Sequence, residues 1–126
     1  MQRKKVIECS KLILNTPSEE NLISLNITQF LLKWMGATSD YSFCFECKFH
    51  KTIKSDLSLT SRYLASMCIF AIEHNHKKAD KKFQLESINK VLEYCEDEKN
   101  AVKLSKKLKK YIDAKNIEAL VDLITE

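Results

Sequence analysis

Apolar residues recur along this chain at helical intervals, in blocks separated by short polar runs. Val6, Ile7, Cys9, Ile13 and Leu14 mark a first helix over residues 4–15. Thr16, Pro17 and Glu19 then form a capping box with proline at the first helical position. The helix they open carries Ile23, Ile27, Phe30, Leu31 and Trp34 as one stripe, and Gly36 is its natural stop. Residues 37–55 are the least regular. A helix from Asp56 or Ser58 to about Asn75 follows. Its apolar residues, from Leu59 through Tyr63, Leu64, Met67 and Phe70 to Ile72, cover much of its circumference. Such a helix belongs in the middle of a bundle. The run HNHKKADKK, 74–82, reads as a connection or a helix end. Leu85, Ile88, Val91, Leu92 and Cys95 mark a fourth helix, which residues 97–100 break. Val102, Leu104, Leu108, Tyr111 and Ile112 mark a fifth. Asn116 caps a short sixth containing Ile117, Leu120, Val121 and Ile124. No internal repeat is visible.

Composition sharpens this picture. A chain of 126 residues with Gly 1 and Pro 1 holds far fewer turn formers than the roughly fifteen an average protein of this length would carry. Sheet proteins spend both residues on turns and bulges. The expectation is an all-α, single-domain bundle of five or six helices spanning 1–126, with an irregular aromatic segment at about 37–55. No window is long and apolar enough for a transmembrane helix.

Charge adds one candidate surface. The net charge is +4, and of 21 basic residues all but Arg3 and Arg62 are lysine. Lysine suits a solvated coat better than base recognition, which favours arginine's planar fork. Within residues 101–114, Lys103, Lys106, Lys107 and Lys110 lie opposite the apolar face. They are the candidate contacts for an anionic lipid or, less suitably, a nucleic acid. Lys77, Lys78, Lys81 and Lys82 are expected to enlarge that patch.

The stretch YSFCFECKFH, 41–50, looks most like chemistry. Cys44, Cys47 and His50 supply three zinc-type donors. Yet no glycine or proline makes a tight turn between the cysteines, and no second C-x-x-C follows. A redox motif would sit at a helix start in a βαβ pattern, and none surrounds this one. The favoured reading is packing: an extended strap with Tyr41, Phe43, Phe45, Cys47 and Phe49 facing in, and Cys44 and His50 facing out. A lone strand of this kind has no partner in the chain, so it crosses the bundle or pairs with another copy. His74 and His76 diverge on a helix and make a poor metal pair. The acidic run Glu96–Glu98 lacks the pattern of a calcium loop. No phosphate-binding, metalloprotease or nucleophile-elbow motif occurs. The expected function is therefore a non-enzymatic helical domain, without a cofactor, for partner binding or self-association. The alternatives are a small zinc protein using Cys44, Cys47 and His50, or a weak electrostatic binder acting through 101–114.

Three stretches, LLKWMGATSDYSF at 31–43, YLASMCIFAIEHN at 63–75 and VLEYCEDEKNAVKLSKKLKKYIDAKN at 91–116, resemble small uncharacterised helical proteins of Bacteroidetes. The likeness covers about residues 25–120 and excludes the cysteine pair and His50. It implies an all-helical fold, no assigned activity, and a secretory signal ahead of the domain. Five cysteines without regular spacing point instead to a reducing compartment. Localisation stays open between the two.

Overall fold

A computed structural model of the protein describes residues 2–17, 22–45, 47–100, 102–114 and 117–125. Among these residues the chain is all-α. Seven α-helices and one 3-10 turn follow one another: α1 Gln2–Leu14, α2 Leu22–Ala37, α3 Lys48–Ile53, α4 Leu57–Glu73, α5 Lys81–Glu96, the 3-10 turn Glu98–Asn100, α6 Lys106–Asp113 and α7 Ile117–Thr125. The helix beyond the expected six is α3, inside the segment read as irregular. The caps read at Glu19 and Asn116, and Glu46 of the strap, lie outside the described residues, as do the side chains of Ile23 and Ile117.

Helix α4 is the axis of the bundle. Every residue from Ser61 to Ala71 is buried, and α1, α2, α3 and α5 all pack on it. A helix apolar around most of its surface has no alternative but burial on several sides. One contiguous core joins Val6 and Ile13 of α1, Leu31 and Trp34 of α2, Phe83 and Ile88 of α5, and Leu108 and Tyr111 of α6 to it.

Helix ends are written by side chains. Asp56, Asp80 and Ser105 each accept a bond from the backbone N–H three residues on, at Leu59, Phe83 and Leu108. These caps set the starts of α4, α5 and α6. They also correct two boundaries. α5 begins at Lys81, inside the run read as polar, and Phe83 is fully buried. α6 begins only at Lys106, so Val102, Lys103 and Leu104 precede it, and the basic helix read over 101–114 is one of eight residues. Thr16 closes α1, its hydroxyl donating to the Leu12 carbonyl, while residues 18–21, over which it was read to open the next helix, lie outside the described residues. Gly36 is no stop either: it lies within α2, with no positive φ.

The C-terminus of α4 replaces glycine with asparagine. Asn75 has φ 47°. Its N–H donates to the Ile72 carbonyl and that of His76 to the Ala71 carbonyl. This is a Schellman ending, and asparagine is the non-glycine residue that best tolerates its left-handed position.

The strap at 41–45 forms no strand and crosses the bundle, one of the two outcomes expected of it. The Ser42 N–H donates to the Lys77 carbonyl at 2.9 Å, and the Tyr41 hydroxyl donates to Asn75 Oδ1. Phe43 packs edge-on against Trp34 and Phe83, with ring centres 5.9 and 6.2 Å away. Strict in–out alternation fails at Phe45, which is 37% exposed, and at Cys44, which is half-buried. The strap turns there and enters α3.

Candidate functional site

The Cys44 carbonyl, the Cys47 thiol and the His50 ring all meet Tyr63 of α4. The Tyr63 hydroxyl donates to the Cys44 carbonyl at 3.0 Å. Its oxygen is then left to accept from the Cys47 thiol, also at 3.0 Å. The His50 ring stacks on that of Tyr63 at 26°, with 5.7 Å between centres, while its Nδ1 bonds the Phe45 carbonyl. Burial, with the Cys47 contact adding to it, pushes the Tyr63 phenol well above its ordinary range. Tyr63 therefore stays a neutral donor that ties the strap to the central helix. Among the described residues no group of three or more His, Cys, Asp or Glu side chains is placed to share a metal ion. The five cysteines form no disulfide.

His76 is likewise engaged. Its Nε2 lies 2.8 Å from Asp80 Oδ1, and its ring stacks on Phe83. His74 packs on Phe70. His76 also packs on Phe70, so both histidine rings rest against one phenylalanine, contrary to the divergence expected of their spacing.

A different arrangement arises where α3, α6 and α7 meet. Phe49 of α3 meets Tyr111 of α6 edge-on, with centres 4.9 Å apart and planes at 83°. Both rings are buried, and such a pair adds about 0.5–1.5 kcal/mol beyond its buried area. It fixes α3 against α6. Lys48 and Lys51 on one helix, and Lys107 and Lys110 on the other, are each spaced i,i+3, so each pair shares a helix face. Packing the helices on the Phe49–Tyr111 contact turns the two faces toward one cleft of about 280 Å³. Thr52, Tyr111 and Leu123 also line it, and among the described residues the lining holds no carboxylate. All four lysines are exposed. Like charges gathered around one concavity raise the potential there and draw an anion to it.

The opposite flank of α6 has the opposite character. Glu93 and Glu96 of α5 face Asp113 across a groove of about 430 Å³, also lined by Tyr111. Positive and negative clefts thus lie on either side of one buried ring.

Of the four lysines expected to contact an anion, Lys107 and Lys110 line the cleft, whereas Lys103 and Lys106 do not. Lys77, Lys78, Lys81 and Lys82 do not extend it. They stand at the start of α5, while α6 packs on its last turns. The 16 residues of α5 span about 24 Å at 1.5 Å each. Lys48 and Lys51 carried no signal as cleft residues, because their part depends on a helix that the pattern did not show.

Comparison with family models, with curated proteins and with solved structures gives no match. The site is therefore read from its geometry.

Proposed function

We propose that this chain is a non-enzymatic helical binding domain and that it holds an anionic partner in the cleft between α3 and α6. The observation that carries this is the convergence of Lys48 and Lys51 with Lys107 and Lys110 around one concavity whose described lining residues include no carboxylate. Heparin chromatography tests it. The Lys107→Glu/Lys110→Glu variant should elute at clearly lower salt than the charge-matched Lys77→Glu/Lys78→Glu control, with circular dichroism checking that both remain helical. Equal elution of the two would mean that net charge alone acts, and the cleft reading would fall.

The acidic groove of Glu93, Glu96 and Asp113 favours a second reading, self-association. A second copy could set its acidic groove on the basic cleft of the first. Such head-to-tail contact uses two different patches and does not close by two-fold symmetry. Light scattering at low salt would show mass rising with concentration, and Lys107→Glu/Lys110→Glu would abolish the rise. A constant monomer mass would end this reading.

A further inference from the structure

We infer that the occupant of the lysine cleft is a compact polyphosphate, a small molecule with two or more phosphate groups close together. This deepens the proposed anion-binding role and rests on it. The volume, about 280 Å³, lies at the lower edge of small-molecule pockets. It suits a ligand whose charge is concentrated and not strung along a chain. Lysine ammonium groups act on phosphate oxygens as mobile point charges with three donors each. Two pairs on facing helices approach such a group from opposite sides. The Thr52 hydroxyl donates to the Lys48 carbonyl and holds the α3 turn that carries Lys48, and Leu123 and Tyr111 give the cleft an apolar wall.

The same surroundings disfavour a nucleic acid strand. Single-strand binders offer exposed aromatic faces for stacking and a continuous basic track for the backbone. Here the one aromatic ring in the lining, Tyr111, is 3% exposed. The groove beyond Tyr111 is lined by Glu93, Glu96 and Asp113, which would repel a phosphate backbone continuing past the cleft. No guanine-reading arginine lines the cleft among the described residues. A membrane surface is disfavoured by packing. An interfacial helix must insert its apolar face, and in α6 that face is spent, with Leu108 and Tyr111 both buried.

Isothermal titration calorimetry at matched ionic strength tests the inference with tripolyphosphate, pyrophosphate, sulfate and a single-stranded oligonucleotide. Tripolyphosphate should bind the intact protein more tightly than sulfate does. Binding should weaken about tenfold or more in Lys107→Glu/Lys110→Glu and in Lys107→Gln/Lys110→Gln, which lose two charge-assisted contacts. The Lys77→Glu/Lys78→Glu control should leave it unchanged. The glutamine pair keeps the test open should the glutamate pair fail to fold. If the oligonucleotide binds at the cleft and tripolyphosphate does not, the inference falls while the anion-binding role stands. If sulfate matches tripolyphosphate, the cleft is a generic anion site and the inference falls. If no anion binds and heparin retention ignores the cleft substitutions, both fall together.

Discussion

Arg62 of α4 and Tyr94 of α5 converge on a single backbone oxygen. Arg62 donates to the Thr16 carbonyl at 3.0 Å and Tyr94 at 2.6 Å, and the guanidinium carbon lies 5.0 Å from the Tyr94 ring centre. Arg62 is fully buried. It also donates to the Pro17 carbonyl and to Ser58, while its Nε finds no partner among the described residues. The pair satisfies carbonyls just beyond the end of α1, where backbone acceptors lack helical donors. Arg62→Met should cost about 2–4 kcal/mol, since several acceptors lose a charged donor at once. Tyr94→Phe should cost about 1 kcal/mol. Lysine at 62 should rescue poorly, because one ammonium cannot serve both Ser58 and the Thr16–Pro17 turn. Urea unfolding of the three variants measures this. An Arg62→Met midpoint equal to the parent's would refute the role.

The cysteines should divide by accessibility. Burial pushes the thiols of Cys68 and Cys95 up to about 12, and they are 0% and 7% exposed. At pH 8 their thiolate fraction is on the order of one in ten thousand. Ellman's reagent should leave both unmodified in the native protein and reach all five cysteines in urea. Rapid reaction of five thiols without denaturant would contradict the packing of α4 on α5.

Acid should weaken the start of α5. Asp80 is held below its ordinary value of 3.8, first by the bond from the Phe83 N–H and then by His76. A carboxylate with a depressed folded-state pKa adds stability above its unfolded pKa. It loses that contribution as pH falls below about 4 and through the folded value. Asp80→Asn keeps an N-cap acceptor but removes the titration. Its melting temperature should fall less steeply between pH 5 and pH 2.5 than the parent's. Parallel curves would show that Asp80 takes no part in the acid sensitivity.

Two helix ends should respond in opposite directions. An added Cβ at Gly36 meets nothing within 4 Å, and the residue sits in a helix, so Gly36→Ala should stabilise by about 0.5–1 kcal/mol. Asn75→Ala forces alanine into the left-handed region and removes the acceptor of Tyr41, and should cost about 1 kcal/mol or more. Thermal denaturation of the two variants gives the signs directly.

What the sequence made legible was set by continuous stripes. The apolar circumference of α4 named the central helix, and its start was read at Asp56 or Ser58, of which Asp56 is the cap. α3 was hidden because KFHKTI is too short to hold a helix by propensity. It forms because Phe49 and Ile53 are buried against other helices. The start of α5 was hidden because Lys81 and Lys82 mask Phe83, although Asp80 was there to be read as a cap. Half of the lysine cleft, Lys107 and Lys110, was visible as one face of a basic helix. The other half depends on where a buried aromatic contact seats α3, and no local pattern records that.

Trp34 is the one tryptophan in the chain, and it stands against Tyr41 and Phe43 of the strap and does not line the lysine cleft. The protein thus carries its own optical reporter. Indole emission should follow detachment of the strap while remaining silent to an anion entering between α3 and α6, so unfolding and ligation can be followed separately in the same cuvette.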